Sequence, residues 1–220
     1  MPLQAAMFDF DGTLVDSLPG IEHSIDHALH VCGCAPRDCE VRPFIGPPIR
    51  SILSRITGET VPEQLNALEA AFRSSYDSDG WRRTFFFEGA REVLETLAAA
   101  DVSLFVVTNK PEQATTQILR EAGLYSLFTG VVCRNSARKL FHSKTEMVSH
   151  VLSLHRLAPE NCVFIGDTAE DYQAATAAGV PAVLVQHGYG YAHDGASLQN
   201  CQWIAALPHL TSILEIRSSV

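Results

Sequence analysis

The chain has 220 residues, 46% of them apolar, with 25 acidic against 16 basic side chains and a formal net charge of −9. That length and apolar content suffice for one substantial domain plus a smaller one. The acidic balance argues against a nucleic-acid or anionic-membrane surface, which would need clustered positive charge.

The N-terminus shows no basic leader before an apolar stretch, and no apolar run is long enough to cross a bilayer. The six cysteines (Cys32, Cys34, Cys39, Cys133, Cys162 and Cys201) show no disulfide framework. A cytoplasmic protein with reduced thiols is expected.

The first predicted element is a buried strand over the apolar run Ala5-Ala6-Met7-Phe8, which leads into Asp9 and Asp11 with one residue between them. Side chains two apart on a strand share a face, so these acids repel unless a cation sits between them or one keeps a proton. Gly12 permits the sharp turn that presents carboxylates at a strand end. Beyond Ser17, Ile21, Ile25, Leu29 and Cys32 fall on one helical face, with Glu22, His23, Asp26, His27 and His30 largely opposite. Cys32, Cys34 and Cys39 lack the paired spacing of a structural zinc site, and the histidines read as solvated. A connector over 33–43 and the turn Ile45-Gly46-Pro47-Pro48 precede predicted helices at Ile49–Thr57 and from Pro62 to about Tyr76. Residues 17–87 therefore read as an inserted small helical cap domain with no clear strand, and 1–16 with 88–220 as the core domain.

From Glu88 onward the pattern alternates. Helices are predicted over 89–100, 111–123, 144–155 and 170–179, and strands over 103–108, 130–133, 162–167 and 181–186. Alternating strands and helices joined by short turns predict an α/β fold with a doubly wound parallel, Rossmann-like sheet. Ligands bind such sheets at the carboxyl ends of the strands, where Asp9, Thr108 and Asp167 fall.

The string DFDGTLVDS resembles the first motif of the haloacid dehalogenase superfamily, a large group of aspartate-nucleophile phosphohydrolases. VVTNK, containing Thr108, resembles its second motif, and Gly166-Asp167-Thr168-Ala169-Glu170-Asp171 its fourth. The third is a lysine at a helix start. Ser143-Lys144-Thr145-Glu146 has the form of a capping box, which puts Lys144 in a first helical turn where anions are also attracted. Lys139, in the preceding loop, is the weaker candidate. The family often has Lys-Pro at this motif and this chain does not; the Cys32-Gly33-Cys34 connector is a second departure.

The resemblance implies Asp9 as nucleophile, Asp11 as acid and base, and Thr108 and Lys144 as the groups that hold the phosphoryl oxygens. It implies Mg2+ held by Asp9 and Asp167, by Asp11 through its backbone carbonyl, and by Asp171 from an outer shell or through water. Asn109, Gly12 and Arg50 are candidate substrate-binding residues, Arg50 because a guanidinium at the start of a cap helix could pair with a substrate carboxylate or second phosphate. Within the superfamily, Asp11 speaks against a dehalogenase, and the absence of lysine from residues 17–87 excludes a Schiff-base phosphonate-cleaving member. Ile21 stands where sugar phosphomutases have a histidine.

What remains is hydrolysis of a small phosphate monoester. DFDGTLVDS, IGPPI, VVTNK, GDTAED and HGYG (187–190) are similar to the phosphoglycolate phosphatase-like branch. A magnesium-dependent phosphatase working through an aspartyl-phosphate is therefore expected. A phosphomutase or other phosphotransferase, or a catalytically silent binding module, stands as the alternative. The expected partner is a small phosphorylated metabolite, with no nucleic acid, no membrane, and a monomer or homodimer.

Overall fold

The computed structural model describes residues 2–136, 140–191, 198 and 201–214. The chain divides into two compact units, Met1–Val15 with Phe86–Val220 and Asp16–Phe85. The division thus falls at Asp16 and Phe85, against 17 and 87 in the sequence reading.

The larger unit is built on strand β1, Ala5–Phe8, whose four side chains are all buried. It lies at the middle of a six-stranded parallel sheet of order β5-β4-β1-β6-β7-β8, formed by Phe128–Cys133, Ser103–Thr108, β1, Cys162–Gly166, Ala182–Val185 and Gln202–Ile204. Strands covered on both faces need apolar side chains at every position, which is why AAMF, LFVVT and CVFI read as continuous apolar runs. Register pairs Met7 with Phe105 on one side and Phe164 on the other. These three join Ala5, Val107, Met147, Val148, Val151, Ala174 and Ala175 in one core cluster on the face covered by helices α6, Lys144–His155, and α7, Ala169–Ala177. Truncating a buried aromatic such as Phe164 to alanine typically costs about 3–5 kcal/mol. Helices α4, Ala90–Ala99, and α5, Glu112–Glu121, complete the alternation.

The smaller unit carries α1, Leu18–Val31, α2, Ile49–Thr57, and α3, Pro62–Tyr76. Leu65, Leu68, Phe72 and Tyr76 supply the buried stripe of α3 at helical spacing. Two-residue strands β2, Val15–Asp16, and β3, Phe85–Phe86, form a separate ribbon at which the chain passes from one unit to the other. The sequence reading had no strand in that span, because two residues carry no periodicity. It also began β5 at Gly130 rather than Phe128, and did not include β8 or the last described helix, α8, His209–Ile213. Among the described residues, no helix is long and apolar enough to cross a membrane.

Candidate active site

The site lies at the carboxyl edge of the sheet, in the larger unit. After Phe8 the ladder continues for one bond, from the Asp9 N–H to the Ile165 carbonyl at 2.8 Å. The Phe10 carbonyl then accepts from the N–H groups of Thr13, Leu14 and Val15 at 3.3, 3.0 and 3.0 Å, folding the chain back on itself. Gly12 sits in this loop at φ +84°, and a Cβ there would lie 2.4 Å from the Asp167 carboxylate. Its requirement is therefore for backbone conformation and close approach.

The two aspartates of the loop meet different lysines. Lys144, buried in the first turn of α6, lies 2.9 Å from Asp9 Oδ2 and donates to Asp171 Oδ1 at 2.6 Å. Lys110, in the loop after β4, lies 2.9 Å from Asp11 Oδ1 and 3.2 Å from Oδ2. The Lys144 helix starts as the sequence predicts, with Ser143 Oγ accepting from the Glu146 N–H. The return arm differs: Glu146 accepts from the N–H of His142 at 2.8 Å, one residue before the cap.

Asp167 and Asp171 are fully buried and heavily bonded. Asp167 Oδ1 accepts from the Thr13 hydroxyl at 3.1 Å, and Oδ2 from the N–H groups of Tyr189 at 2.7 Å and Gly190 at 3.3 Å. Asp171 Oδ2 accepts from the N–H groups of Asp167 and Thr168 at 3.1 and 3.0 Å and from the Thr168 hydroxyl at 2.7 Å, closing a capping box on α7. With Lys144 on its other oxygen, Asp171 has both oxygens engaged. That suits an anchor for Lys144 and the 166–168 turn.

Burial pushes the Asp9 carboxyl up to about 7, with Lys144 pulling it down and Asp171 pushing it further up. Asp167 is raised too, by burial and then by Asp171 and Asp9. Burial works against the Lys144 ammonium, but Asp171 and Asp9 outweigh it and hold the lysine charged.

This electrostatic strain is what a cation would relieve. Asp9, Asp167 and Asp171 offer oxygens that all lie within 4.8 Å of one another. Asp9 Oδ1 is buried with no hydrogen-bond partner, a costly condition unless another ligand completes it. Four carboxylates (Asp9, Asp11, Asp167, Asp171) against two ammonium groups leave a formal charge of about −2, and an all-oxygen donor set suits a hard divalent ion. The residues present therefore fit Mg2+, with Asp9 and Asp167 as the natural holders.

The other expected residues are distributed as follows. Thr108 is buried at the end of β4, its hydroxyl accepting from the Lys110 N–H at 3.2 Å. Asn109 donates from Nδ2 to Glu170 at 3.0 Å, bridging the β4–α5 loop to the first turn of α7. Arg50 has its guanidinium turned onto partners inside the helical unit: Asn66 at 2.7 Å, the Pro62 carbonyl at 3.3 Å and Glu69 at 3.5 Å. Arg50 thus already meets one carboxylate, that of Glu69, within its own unit. Lys139 lies outside the described residues.

Sequence reasoning missed Lys110 and the loop after β7. The signals were present: Lys110 is part of VVTNK, and HGYG places Tyr189 and Gly190 on Asp167. In the same loop, His187 Nε2 lies 3.1 Å from the Thr13 carbonyl and its ring lies against Phe87 with centroids 4.1 Å apart. A carbonyl can only accept, so Nε2 carries the proton.

The haloacid dehalogenase-like hydrolase family matches residues 6–185. Tyrosine-protein kinase PtkA of Mycobacterium tuberculosis is 35% identical over 191 residues, 86% of this chain; the chain spans 64% of that protein's length. A phosphoglycolate phosphatase of Nitrosospira multiformis is 29% identical over 98% of this chain and 97% of its own. A solved haloacid dehalogenase-like hydrolase of Streptococcus pneumoniae superposes with a TM-score of 0.84 at 26% identity, covering 96% of this chain and 98% of its own. The matched span takes in Asp9, Asp11, Thr108, Lys144 and the Asp167–Asp171 turn, and the chain belongs to the haloacid dehalogenase-like hydrolase family.

Proposed function

We propose that this hydrolase is a magnesium-dependent phosphatase of a small, phosphoglycolate-like phosphate monoester, acting through an aspartyl-phosphate on Asp9. One observation carries the reading: Asp9 combines an ammonium on one oxygen with a buried, unsatisfied second oxygen, beside the Asp167 carboxylate. A bound Mg2+ would supply positive charge that offsets repulsion between the nucleophile and a phosphate dianion.

The chain's own groups account for the rest. Asp9 attacks phosphorus, and Lys144, fixed by Asp171, stabilises the charge that builds on the phosphoryl oxygens. Thr108, whose oxygen already accepts from Lys110, has its hydroxyl proton to give to a phosphoryl oxygen. Asp11 protonates the leaving alcohol and then takes a proton from the water that hydrolyses the intermediate.

A second reading has support in the name of the Mycobacterium relative: transfer of the phosphoryl group to a hydroxyl acceptor instead of water. Both readings share the first half-reaction. A panel of small phosphate esters, with and without Mg2+, tests the proposal by release of inorganic phosphate. Adding a tyrosine-containing peptide tests the alternative, since transfer would move label onto the peptide. No phosphate release from any ester with Mg2+ present would defeat the hydrolase assignment.

A further inference from the structure

Lys110 has no part in the mechanism just given, yet it is built into the site. Its side chain is almost wholly buried, and its ammonium reaches both carboxylate oxygens of Asp11, at 2.9 and 3.2 Å. Its own N–H is held by the Thr108 hydroxyl, which ties this grip to the end of β4. The chain has three lysines among its 16 basic residues, and two of those three are buried here, one on each aspartate of the first loop. Burying an ammonium is costly unless it is paired, so a buried lysine at 110 is not a default surface charge.

We propose that Lys110 is a positioning residue for Asp11: it fixes the carboxyl group that exchanges protons with the leaving alcohol and with water. The proposal rests on the phosphatase reading. As the phosphorus–oxygen bond to the leaving group breaks, its electron pair stays on that oxygen, which takes the proton from the Asp11 carboxyl. Asp11 is left as a carboxylate, matched by the Lys110 charge. When water attacks the aspartyl-phosphate, Asp11 takes the water's proton, and the bond from phosphorus to Asp9 breaks to return the Asp9 carboxylate and free phosphate. Lys110 keeps its own proton throughout.

The test compares kcat/KM, which reports steps through the first bond cleavage, on two esters. Phosphoglycolate has an alkoxide leaving group that needs a proton; p-nitrophenyl phosphate has one that departs without it. Lys110→Met should lower kcat/KM on phosphoglycolate by about 100-fold, the usual scale of general acid catalysis, and leave p-nitrophenyl phosphate little changed. Lys110→Arg should recover part of the loss. Equal losses on both esters, or none on either, overturn the proposal.

An arm without substrate guards against a folding defect: urea unfolding of Asp11→Asn, Lys110→Met and the double variant. Non-additive losses are expected, because the two side chains are in direct contact, and additive losses count against the pairing. A wild-type protein inert on both esters takes the proposal down together with the phosphatase reading. An active wild type with equal losses in the variants removes Lys110 alone.

Discussion

The Lys144 ammonium lies 2.9 Å from Oδ2 of Asp9, although one residue opens helix α6 and the other directly follows strand β1. The contact depends on Asp171, which holds the same ammonium from the first turn of α7. Lys144→Ala should therefore fail in two ways. Turnover should fall on the order of 100-fold to 1,000-fold, as for loss of a donor aimed at developing charge. Stability should fall by roughly 3–5 kcal/mol, since two buried carboxylates lose their partner. Rate measurements and urea unfolding on the same variant separate the two, and near-normal turnover would remove Lys144 from the site.

Asp9→Asn should abolish turnover, and chelation should do so reversibly. The same substitution should also weaken stabilisation by Mg2+. A cation bound to the folded chain raises the melting temperature by mass action, and this rise should be largest in the wild-type protein. A thermal shift unaffected by Asp9→Asn would place the ion elsewhere.

Asp167 and Asp171 should differ in kind. Both Asp171 oxygens are taken by four donors, among them Lys144. Titration calorimetry with Mg2+ should show a larger loss of affinity for Asp167→Asn than for Asp171→Asn, while the latter costs more stability through Lys144. The reverse order in affinity would make Asp171 the ligand.

His187 gives a pH dependence with a definite sign. Burial lowers its folded pKa below the ordinary 6.5, partly offset by the hydrogen bond to the Thr13 carbonyl. The unfolded chain therefore takes up the proton first as pH falls, and the His187 contribution is lost from about pH 7 downward through 6.5 toward the folded value. Asp9 works the other way: its folded value of about 7 lies above the ordinary 3.8, so acid favours the folded state across that window. Subtracting the metal-free stability curve of His187→Gln from that of the wild type isolates the histidine. A flat difference between about pH 7 and 5.5 would show that the ring stays as exposed to protons folded as unfolded.

The fold was legible where side chains repeat. Continuous apolar runs marked β1, β4 and β6, and the helical spacing of Ile21, Ile25 and Leu29 marked α1. Short elements such as β2, β3 and β8 left no signal, because two or three residues cannot show a period. Asp9, Asp11, Thr108, Lys144 and Asp167 could be singled out because each falls in a short motif beside a strand end or a cap that resembles a family pattern. Arg50 could not be judged that way. Its neighbours Asn66 and Glu69 come from the next helix, and nothing local to Arg50 announces that they will meet its guanidinium. Lys110 stood inside the VVTNK motif, but its pairing with Asp11, 99 residues away, left no local mark.

The loop after β7 bears on how substitutions in this chain are to be interpreted. A Cβ at Gly188 would sit 2.2 Å from the Asp167 Cβ, and one at Gly190 would sit 2.3 Å from the Asp167 carbonyl oxygen. In a saturation-mutagenesis survey scored by activity, these two positions should look as unforgiving as the aspartates, though neither has a side chain to contribute. Their intolerance would come from a displaced Asp167, more than twenty positions away in sequence. A ranking of positions by mutational sensitivity alone would count them among the reacting groups.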